Sequence, residues 1–232
     1  MSTVITVLLA EDHLIVLEGI KMLLSYETDI EIVGEAGDGR IAVELAEKLQ
    51  PDIVVMDIAM PELNGLEATR QIRTRVPKTK VIILSAHNDD AYVKQALAFG
   101  ASGYLLKQIA GSVLPSAIRE VHHNTSCFSP AIFRRLVHHR DKSRAEGEPH
   151  PKIEAPPLSS RETEVLQLIA EGSTNKEAAA KMGISIKTVE KHRHKVMAKL
   201  NIHNTAGLTR HAIETGIIEC SVQQTTKRSG KK

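Results

Sequence analysis

Four short apolar runs constrain this chain more than anything else in it. They read VITVLLA at Val4–Ala10, IVVM at Ile53–Met56, VIIL at Val81–Leu84 and SGYLL at Ser102–Leu106. Runs this apolar and this short are how strands buried on both faces of a parallel sheet read. Each stops on a polar group: Glu11-Asp12, Asp57, Ser85 and Lys107. A carboxylate at the end of a buried strand costs free energy unless something needs it there. Ile30–Glu35 alternates as a further strand. Between the strands, apolar residues recur at helical spacing. They are Leu14, Leu17, Ile20, Leu23 and Leu24, then Ala42, Val43, Leu45, Ala46 and Leu49. Leu66, Thr69 and Ile72 follow, then Tyr92, Val93, Ala96 and Leu97, with a last helix expected over Val113–Val121. Asn64 is placed to cap the third helix and Gly100 to end the fourth. Strand and helix alternate, so the sheet is parallel and covered on both faces.

In such a sheet ligands bind beyond the C-terminal ends of the strands. Glu11, Asp12, Asp57, Ser85 and Lys107 gather at that edge if the strands are neighbours. Three carboxylates together repel unless a hard cation sits among them. Mg²⁺ suits that role, because it binds through one or two carboxylates plus phosphate oxygens. A hydroxyl and an ammonium beside it serve further phosphate oxygens. The chemistry these residues point to is a carboxylate that takes a phosphoryl group.

This constellation, in this order, resembles the receiver domain of two-component response regulators from about Val4 to His123. The resemblance implies that Asp57 is the phosphoacceptor and that Glu11, Asp12 and Asp57 hold Mg²⁺. It implies that Ser85 and Lys107 contact the phosphoryl group and that Tyr104 is the switch aromatic. It also implies an α/β, flavodoxin-like, five-stranded parallel sheet in the order 2-1-3-4-5. Ala59 and His87, two residues past Asp57 and Ser85, are placed to flank the path of an attacking water.

The rest of the chain reads differently. Ser129-Pro130 opens a helical stretch to about His138, and His139–Pro157 is charged, Pro-bearing and without apolar period, a flexible linker. From Leu158 the chain is helical and richer in Lys, Arg and His. Ser159–Glu162 and Thr174–Glu177 are capping boxes, Ser185 caps a third helix to about Leu200, and Asn204 caps a fourth. A short helix, a turn at Gly183 and a longer helix make a helix-turn-helix. On the third helix Val189, Val196 and Leu200 fall on one side, with Lys187, Lys191, His194 and Ala198 opposite. Donors around a small residue suit a DNA major groove. With no Trp and 3% aromatics, single-strand binding by base stacking is disfavoured.

LSSRETEVLQLIAEGSTNKEAAAKMGISIKTVEKHRHKVMAKLNIHN resembles the LuxR-type helix-turn-helix, the match running from about Leu158 to Ile218. The resemblance makes Glu190, Lys191 and His194, with Lys187 beside them, candidates for base contacts. Asn175, Lys176, Thr188 and Lys195 become candidates for phosphate contacts. Arg193, on the flank of the core face, is expected in a structural ion pair with Glu164. Two positions depart from the pattern: Ala178 replaces a larger aliphatic residue, which predicts loose packing, and Gln108 stands where an acid is common.

Together the halves resemble the NarL/FixJ response regulators. The implied organisation is a receiver at 1–124, a helical extension and linker at 125–157, a DNA-binding domain at 158–220 and a basic disordered tail at 221–232. The implied partners are a sensor histidine kinase, double-stranded promoter DNA, a second copy of the chain after phosphorylation, and RNA polymerase. No run is apolar enough to span a bilayer and no signal segment opens the chain, so a cytoplasmic protein is expected. Cys127 and Cys220 form no CxxC pattern and read as inert thiols. An aspartyl-phosphate phosphohydrolase needs a second acid, as in D-x-D, and here Ile58 and Ala59 follow Asp57. No G-x-x-x-x-G-K-[ST] is present, which disfavours an NTPase. The expectation is therefore a phosphoacceptor and regulator, not an enzyme, with only Mg²⁺-dependent chemistry at its own Asp57.

Overall fold

The computed structural model describes residues 4–86, 90–128 and 158–218. The expected helix after Ser129, the linker, His87 and the basic tail lie outside them. The strands are β1 (Ile5–Ala10), β2 (Ile30–Ala36), β3 (Ile53–Asp57), β4 (Lys80–Ser85), β5 (Gly103–Leu106) and β6 (Cys127–Phe128). They form one parallel sheet in the order 2-1-3-4-5-6. The expected five strands are thus joined by a sixth. It is two residues long, too short to carry a periodic signal, and it pairs Cys127 with Gly103.

Strand residues alternate between two cores, as side chains on a pleated strand must. Leu8, Val54, Met56, Val81, Ile83 and Tyr104 face α2 (Gly39–Leu49), α3 (Gly65–Arg75) and α4 (Asp90–Ala98). Val7, Leu9, Ile53, Val55, Ile82 and Leu84 face α1 (Leu14–Leu24) and α5 (Lys107–His122). Asp38 and Asn64 cap α2 and α3 by accepting from the backbone N–H groups of Ile41 and Glu67. The α5 helix begins six residues before the expected Val113, directly after β5. Pro115 misleads here, because proline favours a first turn. In this helix it sits inside, four residues after Gly111, whose carbonyl loses its usual helical donor.

The second domain is α6 (Ser160–Ala170), α7 (Asn175–Met182), α8 (Ile186–Leu200) and α9 (Thr205–Glu214). Its core holds Val165, Leu166, Ile169, Met182, Val189, Val196 and Leu208. Ala178, the small residue in α7, is completely buried in it. Gly183 takes φ +63 between α7 and α8, a left-handed value that a side chain would strain.

Gly65 is where the fold brings α3 closest to β3. A Cβ there would stand 1.8 Å from the Asp57 carbonyl oxygen. Gly65→Ala is expected to destabilise the chain by about 2 kcal/mol or more, because neither backbone can yield easily. Gly19→Ala, mid-helix in α1 with no neighbour within 4 Å, is expected to stabilise it by about 0.5–1 kcal/mol. Urea unfolding of the two variants checks both signs.

Candidate functional site

Parallel register sets the edge. Ala10 pairs with Met56, Asp57 with Leu84, and Ser85 with Leu106. The residues that follow β1, end β3 and β4, and follow β5 therefore converge. Asp57 and Glu11 are each 3% exposed and Ser85 is fully buried. The Lys107 ammonium lies 2.8 Å from Glu11 Oε2 and 3.0 Å from Asp57 Oδ2. Asp57 Oδ1 accepts from the Ile58 N–H at 2.8 Å. Tyr104, on β5, is fully buried among Ile83, Val93 and Ala96. Of the expected site residues, the structure brings Glu11, Asp12, Asp57 and Lys107 together, with Ser85 at the end of the neighbouring strand.

Burial, and after it the charge of Glu11, pushes Asp57 up to about 6 against the pull of Lys107. Burial disfavours the Lys107 ammonium, but Asp57 and Glu11 outweigh it and hold its pKa above the ordinary lysine value. The edge carries more negative charge than one lysine can balance. Glu11, Asp12, His13 and Asp57 each offer a ligand atom, and these atoms all lie within 4.8 Å of one another. Carboxylate oxygens packed this closely around an unbalanced charge fit a hard divalent cation. His13 was not foreseen as part of this group. Its Nδ1 lies 2.9 Å from Asp12 Oδ1, and Asp12 above all raises its pKa against burial.

The loop after Asp57 meets the second domain. Gln167 of α6 is fully buried. Its Oε1 accepts from the Asn64 backbone N–H at 2.7 Å and from Asn64 Nδ2 at 3.1 Å, and its Nε2 donates to the Met60 carbonyl at 3.0 Å. Glu171 accepts from the Glu62 N–H at 3.2 Å. Arg40 reaches Glu164 at 3.4 Å, Lys181 reaches Glu62 at 3.2 Å, and Ser160 bonds Glu67. A cleft of about 680 Å³ remains between the domains, lined in part by Asp12, His13, Ala59, Glu171, Ile213 and Ile217. None of this was legible in the sequence, since Gln167 and Glu171 look like polar positions of an amphipathic helix.

On the DNA-binding side, Lys187, Glu190, Lys191, His194 and Lys195 of α8 are exposed, as is Lys176 in the first turn of α7. Asn175 and Thr188 are half-buried and already engaged. Asn175 Oδ1 accepts from Arg193 at 3.0 Å, and the Thr188 and Ser185 hydroxyls share a hydrogen bond of 2.8 Å. Arg193 also donates to Thr205 at 2.9 Å, so it ties α8 to α7 and α9 and does not pair with Glu164. Glu164 lies on the α6 face turned to the receiver, with Arg40 and Arg161 as partners.

Two family models match the chain: the response regulator receiver domain over residues 7–119, and the bacterial regulatory proteins of the luxR family over 156–212. The transcriptional regulatory protein DegU of Brevibacillus brevis is 36% identical over 225 residues, covering 93% of this chain and 95% of its own. The response regulator protein VraR of Staphylococcus saprophyticus is 36% identical, covering 93% and 99%. The chain is a response regulator of the NarL/FixJ family. Among solved structures, RcsB of Salmonella typhimurium aligns with TM-score 0.54 at 28% identity over 91% of this chain and 98% of that one. A structure of two RcsB dimers bound to two parallel DNAs aligns with TM-score 0.55 at 28% identity over 90% and 98%.

In this response regulator the raised Asp57 pKa has a consequence for stability. An acid whose folded pKa exceeds its unfolded one binds more protons when folded. Stability therefore falls as pH rises from the ordinary 3.8 through about 6, and the loss is complete above that window. Asp57→Asn removes the buried charge and is expected to stabilise the metal-free chain at pH 7.5 by on the order of 1–3 kcal/mol. The gain should vanish below pH 4. Thermal unfolding of both proteins across pH checks it.

Proposed function

We propose that Asp57 accepts a phosphoryl group from the phosphohistidine of a sensor histidine kinase, and that phosphorylation pairs two copies of the chain on promoter DNA. The observation that carries the reading is the Lys107 ammonium, held between Glu11 and Asp57 at one buried edge. An Asp57 carboxylate oxygen attacks phosphorus, the bond to the histidine nitrogen breaks, and the imidazole leaves. Lys107 meets the incoming negative charge, and the Ser85 hydroxyl would donate to a phosphoryl oxygen. Glu11, Asp12 and Asp57 would hold Mg²⁺, which supplies charge neutralisation for the phosphoryl oxygens when bound. Ala59 lines the cleft beside Asp12 and brings no acid for rapid hydrolysis, which supports a switch over a phosphohydrolase.

The domain boundaries that fit this reading are 1–124, 125–157, 158–220 and 221–232. Among the described residues no helix is long and apolar enough to cross a membrane. A cytoplasmic site of action, with RNA polymerase as the further partner, accords with a regulator that binds promoter DNA. Incubation with acetyl phosphate and Mg²⁺ is expected to add one phosphoryl mass. The gain should disappear in Asp57→Asn and on chelation. A gain that survives either change overturns the assignment.

Within the DNA-binding domain, Lys187, Glu190, Lys191 and His194 are assigned to base edges. Lys176 and Lys195 are assigned to phosphates, with Asn175 and Thr188 approaching the backbone from the helix starts they help to fix. Lys191→Ala is expected to reduce discrimination between target and scrambled duplexes by about 1–3 kcal/mol. Lys195→Ala is expected to weaken binding to both and to flatten the salt dependence by about one unit. Equal losses for both variants on both duplexes, measured across a salt series, would mean the reading face is assigned wrongly.

A further inference from the structure

The strands run parallel, so they all start at the pole of the receiver opposite Asp57. There a pocket of about 460 Å³ opens among the loops that lead into β4, β5 and β6. Its lining holds three cations, Arg73, Lys78 and Lys80, and the hydroxyls of Ser102, Thr125 and Ser126. No carboxylate is in that lining. The Asp57 edge gathers acids, and this one gathers donors.

Two of the cations are fixed in place by neutral partners. Lys80 Nζ donates to the Val121 and His122 carbonyls at 2.8 and 2.7 Å, at the end of α5. Arg73 Nη1 donates to the Pro77 and Thr79 carbonyls at 2.8 and 2.7 Å. The Arg73 stem lies against Gly100, where a Cβ would stand 3.3 Å from its Cγ. Among the described residues these carbonyls leave a third N–H on Lys80, and Nε and Nη2 on Arg73. Lys78 is exposed at the mouth. Asp52, the carboxylate that acts on Lys80, is outside the lining and already accepts from the Thr6 N–H and hydroxyl at 2.9 and 2.7 Å. Burial lowers the Lys80 pKa below the ordinary lysine value, with Asp52 opposing the shift and Arg73 adding to it.

The third wall is held by the end of α5. Asn124 takes φ +64 and turns the chain back, and the Thr125 N–H closes on the Glu120 carbonyl at 2.9 Å. Thr125 and Ser126 then lead directly into β6. Donors thus reach the pocket from three loops. A carboxylate presents two oxygens in one plane, whereas a phosphate presents oxygens in tetrahedral directions and carries more charge, so it can meet all three.

We propose that this pocket binds a small phosphate-bearing anion, held by Arg73, Lys78 and Lys80 with the hydroxyls of Ser102, Thr125 and Ser126. The anion balances cations that neutral carbonyls only position. It also ties the three loops together, so it stabilises the folded chain by mass action.

Calorimetric titration of the full chain with inorganic pyrophosphate in metal-free buffer, followed by amide NMR, tests it. One saturable site is expected, with a higher melting temperature and with shifts at 101–102 and 124–126. Lys78→Glu, at an exposed position, is expected to weaken binding about tenfold or more. Lys80→Met should do likewise, and Ser126→Ala, with a smaller loss, stands in for it if the end of α5 does not hold. Heat that never saturates means ionic screening alone and overturns the proposal. So do wild-type affinities in the variants, or shifts at 57–60 and 107 in place of the expected ones. Loss of duplex DNA binding in Lys78→Glu with no pyrophosphate site in the wild type would assign these cations to the DNA backbone and overturn it as well.

Discussion

The structure depends on one ammonium placed between two buried carboxylates. Glu11 and Asp57 end neighbouring strands and are almost wholly removed from water. Each would be costly there alone, and together they repel. Lys107 reaches both, but one positive charge cannot balance two buried negatives with Asp12 beside them. Burial first, and then the charge of Glu11, raises the Asp57 pKa to about 6. A divalent cation would relieve the remaining charge imbalance, which is otherwise a cost in stability. Lys107 can do this because α5 starts with it. A loop between β5 and α5 would have let the ammonium swing away from the edge.

The sheet and its helices place this edge, and the loop from Ile58 to Asn64 makes it useful. Gly65 lets α3 press against the Asp57 carbonyl, so the loop is short and its ends are fixed to the strand that ends on Asp57. Asn64 then serves two structures at once. Its side chain caps α3 through the Glu67 N–H, and its own N–H and amide bond Gln167 of the second domain. The residue that starts a receiver helix is thus also the residue that the DNA-binding domain holds.

The buried strands were legible because β-branched runs with a polar stop have few other readings. The five edge residues followed from the ends of those runs. The helix caps at Asn64, Ser159, Thr174, Ser185 and Asn204 were legible for a similar reason, since capping is local chemistry. What failed was non-local or ambiguous. The last helix was expected only from Val113, although tertiary packing of Ala110 and Leu114 extends it back to Lys107. Cys127-Phe128 became a strand only because β5 offered an edge. Arg193 was assigned Glu164 of α6, which instead faces the receiver, while Asn175 and Thr205 lay nearer. The grip of α6 on the receiver left no pattern, because an amphipathic helix with two apolar-flanked polar residues looks the same whether it faces water or another domain.

The exposed α8 decides what kind of control this arrangement permits. If the receiver covered the recognition helix, a single released domain would be the active species and affinity would rise through exposure alone. Here Lys187, Glu190, Lys191 and His194 are exposed while α6 is held by the receiver. A domain that moved away from the receiver would therefore present the same α8 face as it does docked. Two such domains, if linked through their receivers, would gain affinity from effective concentration, with no new contact to any base. Lys187, Glu190, Lys191 and His194 stand on one exposed side of α8. The loop that joins Asp57 to Gln167 lies away from that side, so a change at the loop leaves the α8 face as it is.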